Sequence, residues 1–280
     1  MNDPLKLSLC NEVLRTLDFS SQCRIAAALG YQGLELAPFT LADDPARLGD
    51  ADAARLRGIA ADHGLAISGL HWLLVKPEGL SLSTRDGALH RRTVGFLKHL
   101  IDFAAACGAP VLVHGSPQQR APAPGQSVDD ALARAEAGWA QLAAHAEQAG
   151  VTYCIEPLSP AETPVLNTVA QAAAVVDRIG SPALRTMLDM SAAAQAETDD
   201  AATLLRRFVP SGHIAHVQVN DRNRRGPGQG DTPQAPAVRA LRELGYTGWL
   251  AVEPFDYHPD PLACAAYAAG HMRGLLEAIA

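Results

Sequence analysis

Four short apolar runs in the second half of the chain each end in an oxygen-bearing side chain. Tyr153-Cys154-Ile155 leads into Glu156, Met187-Leu188 into Asp189, His216-Val217 into Gln218, and Ala251-Val252 into Glu253. Glu156 precedes Pro157 and Glu253 precedes Pro254. A residue before proline is held extended, so both carboxylates stay at the tip of their run rather than opening a loop. Three carboxylates brought together repel one another unless a cation sits among them. Carboxylate and amide oxygens are hard donors, which suit Mn2+ or Mg2+ better than a thiolate site would. A lone glutamate at a strand end is usually a solvated rim residue, but four oxygen donors on four successive runs form a pattern.

Histidines add a second set of candidates. His71 ends the third apolar run beside Trp72, and His114 ends the fourth before Gly115-Ser116-Pro117. Each is placed either to contact substrate hydroxyls or to bond the backbone. His216 shares a strand face with Gln218 but lies two residues deeper, so a core or ligand-supporting histidine competes with a substrate contact there. Glu35, at the end of the second run, either closes the pocket or pairs with a neighbour.

The elements that must position these residues repeat from end to end: a short apolar run, a polar or Gly/Pro-rich loop, then an alanine-rich amphipathic stretch. Eight runs, at 5–10, 33–37, 66–70, 110–113, 151–155, 184–188, 214–219 and 249–252, have the length and near-continuous apolarity of strands buried on both faces. Stretches such as 51–63, 93–107, 128–149, 169–179 and 235–244 suit helices covering a sheet. Gly30, Gly64, Gly108, Gly150, Gly180 and Gly245 stand where such helices must stop before the next strand. No glycine-rich dinucleotide fingerprint follows the first run. Eight strand-then-helix units without a linker predict an α/β chain folded as a single (β/α)8 TIM barrel over 1–280. The active site of such a barrel sits at the C-terminal ends of its strands, where the four oxygen donors fall.

Composition narrows the partners. Of 280 residues, 48% are apolar and 19% charged, with 23 Lys plus Arg against 30 Asp plus Glu, a formal charge of −7. That balance argues against a nucleic-acid-binding surface, which needs clustered positive charge. The apolar runs are far shorter than the roughly 20 residues a membrane helix needs. The opening Met1-Asn2-Asp3-Pro4-Leu5-Lys6 has no secretion-signal pattern, and five cysteines without zinc or redox spacing read as reduced thiols, so a cytoplasmic protein is expected.

The stretch Ile214-Ala215-His216-Val217-Gln218-Val219-Asn220-Asp221, the loop Asn223-Arg224-Arg225-Gly226-Pro227-Gly228-Gln229-Gly230, and the closing Gly245-Tyr246-Thr247-Gly248-Trp249 with Val252-Glu253-Pro254-Phe255 resemble one family. It is the sugar phosphate isomerase/epimerase group of xylose isomerase-like TIM barrels, with its tagatose/psicose 3-epimerases and hydroxypyruvate isomerases. The resemblance implies that Glu156, Asp189, Gln218 and Glu253 bind one divalent metal, Mn2+ or Mg2+ with Co2+ as a third candidate, and that Arg224 reaches back over the substrate. Ketose 3-epimerases carry a histidine as the strand-seven ligand, whereas Gln218 matches the hydroxypyruvate isomerase-like members. They also carry a histidine three residues after the strand-six aspartate, where this chain has Ala192.

The implied reaction is metal-dependent isomerisation or epimerisation of a small keto-sugar, by proton transfer through a metal-bound enediolate. Glu156 and Glu253 flank the reacting carbon, and Arg224 steadies the developing charge. Glu253→Gln is then expected to abolish turnover while sparing the fold and the metal. The missing histidine keeps open a lyase or dehydratase acting on a keto-sugar or inosose. A non-catalytic sugar-binding barrel is a third reading, opposed by the complete ligand set. An endonuclease IV-like activity would need a histidine-rich multi-metal site and a basic DNA face. The Gly226–Gly230 loop lacks the Lys-Ser/Thr ending of a P-loop, although Arg224-Arg225 leaves a phosphorylated substrate open. Relatives of the group are often homo-oligomers, and the resemblance extends that expectation here.

Overall fold

A computed structural model describes residues 5–279. The stretch 1–4, part of the opening read above as lacking a secretion signal, lies outside the described residues. Eight parallel strands close into one barrel in chain order: β1 (Lys6–Cys10), β2 (Gly33–Leu36), β3 (Ala66–Leu70), β4 (Val111–His114), β5 (Thr152–Ile155), β6 (Leu184–Asp189), β7 (Ile214–Val219) and β8 (Trp249–Val252). The helices between and after them are α1 (Phe19–Leu29), α2 (Asp50–Asp62), α3 (Gly87–Cys107), α4 (Pro117–Arg120), α5 (Val128–Ala149), α6 (Val169–Ile179), α7 (Met190–Ala196), α8 (Ala201–Phe208), α9 (Ala235–Glu243) and α10 (Pro261–Ala278). The expected (β/α)8 barrel is the observed fold. Among the described residues no helix is long and apolar enough to cross a membrane.

Each strand is buried on both faces, which explains its unbroken apolarity. Leu112, Tyr153 and Ile155 join the layer between sheet and helices, while Val111, Val113, Cys154 and Met187 form a separate cluster on the opposite, inner face. The helix-stop glycines behave as expected: Gly108 and Gly150 cap α3 and α5 at φ +74° and +71°, a conformation that side chains with a Cβ rarely adopt. Helix α3 starts at Gly87 rather than at Thr93. Asp86 accepts hydrogen bonds from Ala88 N and Leu89 N and caps the helix there, so the polar His90-Arg91-Arg92 is helical and not a loop, with Arg91 and Arg92 facing solvent and His90 turned to Arg134 O on α5 (3.1 Å).

Strand register sets the height of the mouth residues. Asp189 pairs directly with Gln218 across β6 and β7. Glu253 N donates to Val219 O (3.2 Å), and Glu156 N donates to His114 O (3.2 Å), so both glutamates leave their strands still tied to a neighbour.

Candidate functional site

Glu156, Asp189 and Glu253 converge. All three are buried, and one carboxylate oxygen from each lies within 4.8 Å of the others, close enough to hold a metal ion. Gln218 donates its amide Nε2 to Glu35 Oε1 (3.2 Å), leaving its Oε1 buried with no hydrogen-bond partner. Glu253 Oε2 is likewise buried and unpartnered. Orphaned buried acceptors are costly, and oxygen acceptors beside crowded carboxylates are the donor set a hard divalent cation satisfies. The residues present therefore fit a metal.

The crowding shows in the acidities. Burial, then the charges of Glu253 and Asp189, push the Glu156 carboxyl well above the usual carboxylate range. Burial and the Glu253 charge raise Asp189 to about 8, against hydrogen bonds from Ala192 N and Asn220. Those bonds orient Asp189: Ala192 N reaches Oδ1 (2.6 Å) and Asn220 Nδ2 reaches Oδ2 (2.6 Å). Asn220 also donates to Glu253 O (3.1 Å) and accepts from Ser191 N (2.7 Å), which links three strand ends.

A cavity of about 280 Å³ opens onto this cluster, lined in part by Glu156, Glu253, Trp72, Phe255, Glu162 and Arg224. Trp72 lies 5.9 Å from Phe255 and from Phe39, ring centroid to ring centroid, which makes an aromatic wall. Its backbone has φ +51°, and Ser116 (+44°) and Arg224 (+68°) in the same lining share that rare conformation. Such strain concentrates at functional sites. Arg224 packs its guanidinium over the Phe255 ring (4.6 Å), and its carbonyl accepts from Phe255 N (2.8 Å) and Asp256 N (2.9 Å). The loop after β7 thus folds back onto the exit of β8, with Arg224 Nη1 3.9 Å from Glu162 Oε1.

The three histidines are elsewhere. None lines this cavity, where the sequence reading weighs substrate contacts at His71, His114 and His216 against backbone-bonded or core roles. His114 Nδ1 accepts from Tyr153 OH (2.7 Å) and Trp139 Nε1 (3.2 Å), so its side chain is turned toward α5. Burial, with a smaller effect of Arg120, holds its pKa down to about 3. His216 Nε2 faces Glu35 Oε2 at 2.7 Å, the paired-core alternative for both residues. His71 lies between Glu12 and Glu253.

Four contributors escaped sequence reading. Glu162 and the wholly buried Arg120 sit in loops or a one-turn helix with no strand-end signal; Arg120 Nη1 donates to Glu156 O (2.6 Å) and pins the β5 exit. Trp72 enters the sequence reading only as the neighbour of His71, yet its Nε1 donates to Glu253 Oε1 (2.8 Å). Glu12 had a signal, since Asn11-Glu12 directly follow Cys10 at the end of the first run.

Gly115 supplies a sharp check. A Cβ there would run into Glu156 Oε2 and carboxyl carbon. Gly115→Ala should displace the carboxylate and cost turnover about 10²-fold, as misplacements near 1 Å do. Because the intruded group is a side-chain end, the melting temperature should stay close to wild type. Equal activity in a kinetic assay would show that Glu156 does not act from this position.

The sequence profile of the xylose isomerase-like TIM barrel family matches residues 23–275. A D-psicose 3-epimerase from Agrobacterium fabrum is 30% identical over 233 residues, covering 82% of this chain and 76% of that protein. An L-ribulose 3-epimerase from Mesorhizobium japonicum is 30% identical over 229 residues, covering 80% and 72%. A crystal structure of D-psicose 3-epimerase in the presence of D-fructose is similar with a TM-score of 0.81 at 23% identity, over 97% of this chain and 99% of that one. With a matching profile over most of its length and the same barrel, this chain belongs to the xylose isomerase-like TIM barrel family.

Proposed function

We propose that the protein is a divalent-metal-dependent epimerase of a small, unphosphorylated keto-sugar, moving the proton on the carbon beside the carbonyl. The observation that carries this reading is the pair Glu156 and Glu253, delivered by β5 and β8 to one cavity with Asp189 beside them. Gln218 completes the metal ligands. When bound, Mn2+ or Mg2+ would supply Lewis acidity that makes the sugar C–H easier to break. The chain's own residues do the rest. One glutamate removes the proton and the other returns one to the opposite face. Trp72 and Phe255 cover an apolar sugar face, and Arg224 with Glu162 supplies polar contacts for hydroxyls.

Charge supports a neutral substrate. The cavity carries Glu156, Glu162 and Glu253 against Arg224, which already faces Glu162. Arg225 is engaged with Asp256 (2.8 Å). A phosphate would meet carboxylates without a free arginine to offset them. The names of the 3-epimerase relatives support the reaction type, and five free buried cysteines suit a reducing, cytoplasmic setting.

The test is a panel of free and phosphorylated keto-sugars with Mn2+ in deuterated water. The expected outcome is one deuteron in a product isomeric with a free ketose. A dehydrated or cleaved product, or turnover confined to phosphosugars, would overturn the proposal.

A further inference from the structure

We infer that Glu12 and His71 form a buried clamp that fixes the carboxylate of Glu253 and leaves its Oε2 as the working oxygen. Three elements meet to build it. Glu12 sits on the short 3-10 turn Asn11–Leu14 that follows β1, His71 directly follows β3, and Glu253 directly follows β8. Their exposures are 3%, 1% and 2%. His71 Nδ1 lies 3.0 Å from Glu253 Oε1 and His71 Nε2 lies 3.0 Å from Glu12 Oε2.

The consequence for Glu253 is an asymmetry between its two oxygens. Oε1 takes both the His71 and the Trp72 contacts, whereas Oε2 is buried with no partner. Two donors on one oxygen set the plane of the carboxylate, and charge-assisted bonds of this type are the strong ones. Glu12 in turn places its charge 3.0 Å from the far nitrogen of the imidazole, an ion-pair contact without hydrogen-bond alignment that favours this ring orientation, as outer carboxylates do for histidines around metal sites. Neither Glu12 nor His71 lines the cavity, so both act through Glu253 as positioning residues. Among the described residues Glu156 has no counterpart of this clamp: its neighbour Arg120 holds the backbone carbonyl instead.

Cys10, Glu12, His71 and Glu253 are also close enough to hold an ion of their own. The contacts favour the clamp, because His71 Nδ1 is hydrogen-bonded to Glu253 Oε1 and its Nε2 faces Glu12 Oε2, each at 3.0 Å, so both imidazole nitrogens already face carboxylate oxygens.

The inference rests on the proposed reaction for its kinetic arm and only on the chain's own ligands for its binding arm. Mn2+ titration of the metal-free protein by calorimetry, with metal counting by mass spectrometry, is run on wild type, His71→Leu, His71→Asn and Glu12→Gln. His71→Leu should weaken Mn2+ binding and lower kcat by about 10- to 100-fold each, with KM changed far less. His71→Asn, whose amide N–H can replace Nδ1 toward Glu253, should recover most of both. Glu12→Gln should cost roughly 10-fold alone and almost nothing further beside His71→Leu, since the two act as one unit. Should His71→Leu fail to fold, Glu12→Gln against wild type decides. Unchanged Mn2+ affinity in the folded variants, a loss carried by KM, or two Mn2+ per wild-type chain falling to one would overturn the clamp. A wild type that turns over no keto-sugar defeats the proposed function alone, because the titration still reads the clamp.

Discussion

Glu156→Gln should lower kcat by about 10³- to 10⁴-fold, the upper part of the range for removing a positioned acid or base, while Mn2+ still binds. Glu156 makes no side-chain hydrogen bond that an amide would break, and Gly115 beside it leaves its oxygens room. A glutamine can therefore turn its oxygen to the cation and lose only the capacity to carry a proton. Glu253→Gln is the contrasting case, and here the structure changes the expectation drawn from sequence. Glu253 Oε1 is claimed by His71 and Trp72. An amide must set its NH2 either against those donors or against the metal, so this variant should lose metal affinity together with turnover. Calorimetric Mn2+ titration beside single-turnover kinetics separates the two variants. Full metal affinity in Glu253→Gln would overturn the division of labour between its two oxygens, and wild-type kcat in either variant would remove that residue's proton-transfer role.

Stripping the metal should abolish turnover, and Mn2+ should restore it. It should also change how stability depends on pH. In the metal-free protein Asp189 has its pKa raised to about 8 by burial and by the Glu253 charge. A carboxyl with a raised folded pKa binds more protons folded than unfolded, so its stabilising effect is complete below the ordinary carboxylate range and is lost as pH climbs through about 8. Mn2+ competes with those protons. The rise in melting temperature on adding Mn2+ should therefore grow from pH 5 to pH 8, both values chosen from that roughly 4-to-8 window. At about 100 times its Kd the ion adds close to 2.7 kcal/mol. A stabilisation that is flat with pH, measured by scanning calorimetry, would show that the ion binds elsewhere.

The barrel and the converging oxygens were legible because both are written in local pattern. Each strand is a mostly apolar run, and Glu156, Asp189, Gln218 and Glu253 fall at or near the ends of four of them, with Asp189 and Gln218 in direct register. Side-chain direction was less legible. Periodicity places His71 and His114 at the mouth, but their final neighbours, Glu253 and Glu12 for one and Tyr153 and Trp139 for the other, come from residues 25 to 182 positions away and are set by packing. Glu162 stands in a loop and Arg120 in the one-turn α4, and the path of the latter follows from contacts across the mouth, such as Leu82 N to Gln119 O (2.7 Å), and not from spacing. The start of α3 was missed for a local reason, because its first turns face water and carry the polar residues of a loop.

The seam between β1 and β8, where Lys6 pairs with Trp249 and Leu9 with Val252, joins the two ends of the chain. Glu12 follows β1 and Glu253 follows β8, so these two flank the seam and take up their places around His71 only when the first and last strands zip together. A nascent chain that has not yet extruded β8 holds Glu156 and Asp189 without their third carboxylate. Under the proposed function, the carboxylates that would hold the metal are complete only once β8 has joined the ring.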